Sequence, residues 1–263
     1  MCGKKVSNEN KSTHISLGSM NAVAENYAVV AADSGIVKYA GDIGGFCGVR
    51  ILIEHDRGWE TSYCHLKPDP IMVRTGQTVK KGQIIGAIGM TGRTRWPHLS
   101  FAVIRNGMIF DPFSGKSNIE GCSAQSEPMW NAGYNPPYEP AHVTSLGFHN
   151  GVPNPQSVLM GMTNDEAILE QVKVISLWGM MMNVMDGDEI HLQIIAPSGR
   201  IEKENIIPIT FDKDYMPIFI IANRGNLLWE RGIYTGKITI MRNVNGKKIT
   251  TGKIIETLIH QSE

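Results

Sequence analysis

The stretch PHLSF at positions 97–101 carries the first sign of chemistry in this sequence. His98 enters an apolar, alternating segment, and in a β-strand residues i and i+2 face the same side. A second histidine two positions later would complete a pair of imidazoles suited to a metal ion. Serine occupies that position instead, and its neutral hydroxyl on a short stem does not replace a ligand nitrogen. The pattern predicts half of a metal site, with Ser100 at the missing half.

The segments around this stretch read as short strands separated by turns. Between residues 28 and 113, β-rich runs are punctuated by glycines, and both Asp56-Arg57-Gly58 and Asn106-Gly107 are typical of hairpin turns. The two hairpins would position the PHLSF segment within a sheet. Residues 1–113 are therefore predicted to form a compact antiparallel β domain.

The rest of the chain changes character twice. Residues 114–160 are rich in Pro, Gly, Asn and Ser without a period, which predicts an extended connector. Residues 161–263 contain strands at a spacing typical of a small immunoglobulin-like β-sandwich. A short helix is expected near residues 163–171, with Thr163 or Asn164 as its N-cap. The predicted fold class is mostly β.

Composition excludes several classes of function. The 263 residues are 42% hydrophobic, enough for two domains with cores of their own, and Lys plus Arg equals Asp plus Glu at 25 each. Because the chain has no net charge, electrostatic attraction to nucleic acid or to an acidic membrane surface is not expected. No stretch approaches the roughly 18 apolar residues of a membrane span. The N-terminus shows no apolar leader, so no secretory signal is predicted in this chain.

The cysteines permit disulfides but not a zinc knuckle. The four cysteines, Cys2, Cys47, Cys64 and Cys122, are even in number and include no C-x-x-C spacing. Cys47 and Cys64 lie on the two arms of one predicted hairpin, near enough to form a bridge in an oxidising compartment. Buried free thiols are the alternative.

Residues 31–113 resemble the LytM/lysostaphin-type zinc metallopeptidases, which cut peptide cross-links in bacterial peptidoglycan. The resemblance rests on an ordered set of motifs: AADSGIVKYAG, GGFCGVRILIEH, GWETSYCHL, VRTGQTVKKGQIIGAIGMTGRT, PHLSF and NGMIFDP. The forms FCG and YCHL, followed by a sandwich domain, are similar to a branch of exported peptidases of Gram-negative bacteria. The resemblance implies the duplicated-hybrid-motif β fold of that family.

The resemblance also implies roles for individual residues. In an active member, the His and Asp of an H-x-x-x-D motif and the second His of H-x-H hold zinc, and a water completes the tetrahedron. The His of Y-x-H-L and the first His of H-x-H serve as general base and transition-state stabiliser. Carried over by position, these two catalytic histidines are His65 and His98, whereas the H-x-H ligand position holds Ser100.

The other two ligand positions depend on how CGKKVSNENKSTHISL is aligned. An ungapped fit to the resembled branch places Asn10 at the ligand His and His14 at the ligand Asp. Counting back from AVVAADSG places Ser16 and Met20 there instead. Both ligands are altered in either alignment, and three changed ligands predict the loss of the family's zinc site.

These changes predict a catalytically degenerate peptidase domain that needs no cofactor. Its expected role is to bind a cell-wall peptide or a wall-hydrolase partner in the bacterial envelope. The alternative is an active metalloendopeptidase that uses a non-standard metal site of His14, His65 and His98. The resemblance implies a periplasmic or extracellular location, and cytoplasmic retention is the alternative because no leader is evident.

Three residues near PHLSF are candidates for the substrate groove. Arg93 and Arg95 border the predicted cleft and can bind a peptide carboxylate, with a solvated loop as the alternative. Trp96 is a candidate for lining the same groove, although packing in the core is the stronger expectation.

Overall fold

The computed structural model describes residues 12–117, 127–131, 133, 141–161, 164–165, 167–169, 171–244 and 246–259. The fold is mostly antiparallel β, as predicted. The chain divides into two units, and each has its own hydrophobic core. The first unit comprises Met1–Leu17 and Asn21–Tyr138, and the second comprises Gly18–Met20 and Glu139–Glu263.

Within the described part of the first unit, nine strands form two sheets. They are β1 (Thr13–Ser16), β2 (Ala28–Val30), β3 (Gly35–Asp42), β4 (Val49–Glu54), β5 (Trp59–Cys64), β6 (Thr78–Val79), β7 (Ile84–Ala87), β8 (His98–Arg105) and β9 (Met108–Phe110), with a 3-10 turn at Asn21–Glu25. The larger sheet has the order β1-β8-β5-β4-β3-β6, with β9 added to β8, and β2 pairs with β7 in the smaller one. β8 therefore lies between the strands that bring further site residues to it.

Alternation along the central strands builds the first core. In β4, Val49, Ile51 and Ile53 are at most 1% exposed, while the residues between them lie on the opposite face. This is the period-two pattern of a strand with one face in a core. The predicted hairpins are confirmed, since β4 pairs with β5 and β8 pairs with β9. Asn106 and Gly107 both have positive φ, as a two-residue hairpin loop requires.

The second unit is a sandwich of two sheets. Its described elements are β10 (His142–Asn150), α1 (Pro155–Met160), β11 (Ala167–Ile168), β12 (Val174–Val184), β13 (Glu189–Ile195), β14 (Ile201–Pro208), β15 (Lys213–Asn223), β16 (Gly232–Val244) and β17 (Lys247–Ile259). One sheet has the order β10-β12-β15 and the other β11-β17-β16-β13-β14. All pairs are antiparallel except β11 with β17. Apart from β11, these orders correspond to the A-B-E and G-F-C-C′ strands of an immunoglobulin-type sandwich.

Two expectations for residues 114–171 are wrong in part. The expected connector contains β10 and α1, both in the second unit. The helix expected near 163–171 is absent from the described residues there, where β11 lies instead. Asn164 is not an N-cap, because its Oδ1 accepts a hydrogen bond from the backbone N–H of Phe148 at 2.7 Å. The helix that does form is capped by Asn154, a residue followed by Pro155 as in many helix starts.

Candidate functional site

β8 carries His98 and Ser100 into the centre of the first unit's larger sheet. Both side chains are buried, at 7% and 6% exposure. Ser100 lies opposite His14 of β1 on one side and opposite Cys64 of β5 on the other. Directly opposed residues of antiparallel strands share a face. We call the face that carries His14, His98, Ser100 and Cys64 the site face.

His65 reaches this face from the end of β5 through an unusual backbone conformation. Its φ is +63°, in the left-handed region that non-glycine residues seldom adopt. The conformation is held by a hydrogen bond from the His65 backbone N–H to the carbonyl of Cys47 at 2.9 Å. The disulfide between Cys47 and Cys64 fastens the same two segments, with a Cα–Cα distance of 5.0 Å. Cys2 and Cys122 lie outside the described residues.

Backbone carbonyls fix the orientation of two imidazole rings. The Nδ1 atom of His65 lies 2.8 Å from the carbonyl of Thr91, and Nδ1 of His98 lies 2.8 Å from the carbonyl of Trp96. Because a carbonyl only accepts hydrogen bonds, Nδ1 carries the hydrogen in both rings. In the neutral rings Nε2 is then the basic nitrogen. Two histidines are thus held in a fixed orientation, with Nε2 as the basic nitrogen of each neutral ring.

The three histidines considered in the sequence lie together. The ring centroid of His98 is 4.5 Å from that of His14 and 4.5 Å from that of His65. His98 is therefore the middle ring of a row of three, which we call the histidine cluster. The cluster is assembled from β1, β8 and the residue that follows β5, segments far apart in the sequence.

The cluster disfavours positive charge. Desolvation by its neighbours, together with repulsion from His98 and His65, lowers the pKa of His14 to about 4, although β1 is solvent-exposed at this position. Desolvation also lowers the pKa of His65, and its hydrogen bond to Thr91 opposes that change. Both rings are neutral at pH 7.

We expect the cluster to destabilise the protein in acid. Unfolded histidines bind protons below about pH 6.5, whereas folded His14 does so only near pH 4, so stability is lost as the pH falls from 6.5 towards 4. NMR titration should give a midpoint near 4 for His14. The His14→Gln variant should lose less stability between pH 7 and 5 than the wild type, whereas His191→Gln, on β13 of the sandwich, should behave as the wild type. A His14 midpoint at or above 6.5 would contradict the expectation.

Of the three ligand positions that the resemblance implies, Ser100 and, in the ungapped alignment, His14 lie within the described residues. Ser100 Oγ lies 2.6 Å from Ser12 Oγ, so this hydroxyl pairs with another hydroxyl. In that alignment His14 takes the place of the ligand Asp, and Asn10 lies outside the described residues. In the part of the chain that the structure describes, no three His, Cys, Asp or Glu side chains are arranged to hold a metal ion.

The predicted groove residues differ in their exposure to solvent. Arg93 is exposed, with its guanidinium carbon 4.3 Å from the ring centroid of Phe46, and Arg95 is also exposed. Trp96 does not line a groove: it is 4% exposed, and its Nε1 donates a hydrogen bond to the carbonyl of Leu17 at 2.8 Å. This bond ties the residue after β1 to the segment that leads into β8.

Two loops interlock beside the cluster. A Cβ atom on Gly48 would lie 2.3 Å from the backbone nitrogen of Gly92, and one on Gly92 would lie 2.5 Å from the nitrogen of Gly48. Both glycines also have positive φ, so no other residue fits at either position without strain. The loop that presents Phe46 and the loop that presents Arg93 are thereby joined into one rim.

Sequence reasoning missed Ser12, Phe46 and Arg50 as site residues. Ser12 contacts Ser100 because β1 pairs with β8, and Phe46 contacts Arg93 because their two loops meet at Gly48 and Gly92. Arg50 had a local signal, since it is the charged residue between Val49 and Ile51 in an alternating strand. That alternation indicates a residue on the face opposite the core.

The antiparallel β fold and the histidine-lined site face are features expected of a peptidase of the LytM class. Residues 14–112 match the family described as "Peptidase family M23". This match supports the LytM-type resemblance for the part of the chain that it covers.

Part of the chain is also similar to named relatives. The chain is 34% identical over 95 residues to an "Uncharacterized metalloprotease" of Haemophilus influenzae, covering 36% of this chain and 20% of the relative. It is 38% identical over 82 residues to "Peptidoglycan DD-endopeptidase ShyC" of Vibrio cholerae, covering 31% and 18%. The chain thus spans about a fifth of the length of these relatives.

A solved structure of related sequence is the catalytic domain of lysostaphin from Staphylococcus simulans. The two sequences are 34% identical, and the matched part covers 33% of this chain and 68% of the lysostaphin chain, with a TM-score of 0.31.

Among the described residues, no helix combines the length and apolar character needed to cross a membrane.

Proposed function

We propose that this protein is a degenerate M23-type domain that binds a cell-wall peptide without the family's zinc site and without cleaving it. The single observation that carries the proposal is Ser100. It takes the position of a ligand histidine on β8, and its hydroxyl hydrogen-bonds to Ser12. A site with a hydroxyl pair in place of an imidazole keeps the walls of a peptidase cleft but lacks a metal ligand.

Peptidoglycan peptide is the proposed ligand because relatives bear the name peptidoglycan DD-endopeptidase. The oriented imidazoles of His65 and His98 and the exposed Arg93 support binding of a polar peptide. A wall-hydrolase partner in the envelope is the other occupant that the experiment below distinguishes. The disulfide between Cys47 and Cys64 supports an oxidising compartment, periplasmic or extracellular, as the place of action.

The test uses the purified full chain with isolated peptidoglycan sacculi. We expect the protein to sediment with sacculi, to contain less than stoichiometric zinc by elemental mass spectrometry, and to release no new muropeptides with or without a chelator. Replacing both His65 and His98 by alanine should weaken sedimentation, whereas His191→Ala should not. Failure of the wild type to sediment with sacculi would overturn peptide binding and direct attention to a protein partner.

A second candidate function is a working metalloendopeptidase. One observation favours it: in the histidine cluster, the ring centroids of His14 and His65 each lie 4.5 Å from that of His98. Stoichiometric zinc that a chelator removes, together with sacculus cleavage that His14→Ala abolishes, would establish this candidate and refute the first.

A further inference from the structure

Arg50 occupies a position on the site face that no motif assigns. In β4, Val49, Ile51 and Ile53 point into the core, so Arg50 and Leu52 point to the opposite face. Leu52 lies opposite Ser62 of β5, which in turn lies opposite Ala102 of β8. Arg50 is thus on the same face as His98 and Ser100.

The guanidinium of Arg50 is held by a hydrogen bond, and no described carboxylate pairs with its charge. Its Nε donates a hydrogen bond to Ser62 Oγ at 3.0 Å, and Ser62 is only 5% exposed. The residue opposite Arg50 on β3 is Gly41, which has no side chain to cover it. Among the described residues no carboxylate oxygen lies within 4.0 Å of Arg50. One edge of the guanidinium is therefore anchored while its charge lacks a partner in this part of the chain.

A second positive charge lies at the rim. The guanidinium of Arg93 covers the ring of Phe46, which is 55% exposed, and the Arg93 backbone N–H donates to the Phe46 carbonyl at 3.2 Å. Arg93 also has no carboxylate oxygen within 4.0 Å among the described residues. Glu54, on the face of Arg50, is paired with Lys38 at 2.9 Å. Glu60 lies opposite Glu54 in the β4–β5 pair, so these two carboxylates stand four residues along the strand from the level of Arg50. The end of the face beside the histidine cluster carries Arg50 and Arg93.

We propose that Arg50 binds a carboxylate of the peptide that occupies the groove, with Arg93 as a second cation at the rim. The inference rests on the proposed function and names the chemistry of the ligand. A guanidinium held at Nε offers its terminal N–H groups to a carboxylate as a fork. Arg50 is level with Ser100 in the strand register and two strands away, roughly 10 Å. That distance corresponds to about three residues of extended peptide at roughly 3.3 Å each.

The experiment measures affinity for the tetrapeptide L-Ala-γ-D-Glu-L-Lys-D-Ala by calorimetry with the full chain. Parallel titrations use forms with the C-terminal carboxylate, the glutamate carboxylate or both converted to amides, which distinguishes the two sources of the carboxylate. Amidation of the recognised carboxylate should weaken binding roughly tenfold to a hundredfold. Arg50→Gln should weaken binding of the acid form by a similar factor and abolish the difference between acid and amide.

Two further variants control this experiment. Arg57→Gln removes an exposed positive charge at the turn of the same hairpin and should leave all affinities unchanged. Arg50→Lys keeps the charge but not the fork, and should show a partial loss even if Arg50→Gln proves unfolded by circular dichroism. The inference would be overturned if the wild type bound the acid and amide forms of the peptide with equal affinity. It would also be overturned if folded Arg50→Gln still bound the acid form more tightly than the amide form. If the wild type still sediments with sacculi in those cases, the proposed function stands. If the wild type binds neither sacculi nor peptide, the inference and the proposed function both fail.

Discussion

The triple variant Asn10→His, His14→Asp, Ser100→His is expected to bind one zinc ion per chain and to cleave peptidoglycan, whereas the wild type does neither. The structure favours two of the three changes directly. Ser100 follows His98 by two residues on a buried strand, and His14 lies opposite Ser100 in the β1–β8 pair. A histidine at 100 and an aspartate at 14 would therefore share the site face, while the third change rests on the sequence alignment alone.

The magnitude should be large because a complete ligand is restored. Loss of even an outer partner of a metal ligand costs roughly tenfold to a hundredfold in metal affinity. We expect the triple variant to bind zinc at least a hundredfold more tightly than a control that carries Asn10→His and His14→Asp with Ser100 retained. Elemental mass spectrometry, zinc titration and muropeptide chromatography measure the outcome. A folded triple variant that binds no zinc would show that the N-terminal alignment is wrong.

Arg242→Met is expected to destabilise the sandwich by roughly 3–5 kcal/mol, because it leaves a buried carboxylate without its cation. Asp188 is 1% exposed, and Arg242 binds both of its carboxylate oxygens at 2.8 and 2.7 Å. The same guanidinium donates to the carbonyl of Asn183 at 2.6 Å, and Asp188 accepts from the backbone N–H of Met185 at 2.8 Å. The pair thus joins β16 to the turn between β12 and β13.

Urea unfolding followed by circular dichroism measures this prediction. The matched control is Lys38→Met in the first unit, which breaks an exposed ion pair whose side chains are 48% and 46% exposed and should change stability by less than about 1 kcal/mol. A double variant, Asp188→Leu with Arg242→Met, should lose less stability than the sum of the two single variants. A loss below about 1 kcal/mol in Arg242→Met would refute a stabilising role for the pair.

Predictable features of this chain are those with a local cause. Asn106-Gly107 predicts its hairpin because both residues accept positive φ, and His98 and Ser100 are predicted to share a face because side chains alternate along a strand. The serine that replaces a ligand was visible for the same reason. Such signals depend on neighbours within a few positions, so sequence alone suffices to recognise them.

Other features depend on long-range pairing and escaped prediction. β10 has polar residues and a glycine that obscure its alternation, and it becomes a strand by pairing with β12. β11 carries a helix-like composition, yet it pairs with the end of β17 and its neighbour Asp165 binds Asn150. Trp96 reaches a carbonyl 79 residues earlier in the chain, so its burial has no local signature.

The interlocked glycines Gly48 and Gly92 have a consequence for redesign. Because the two loops meet through backbone atoms, the rim's position does not depend on the side chains at its tips. Phe46 and Arg93 can therefore be exchanged for other residues while the scaffold beneath them is conserved. A library randomised at these two tips, with both glycines held constant, would sample ligand preference separately from folding.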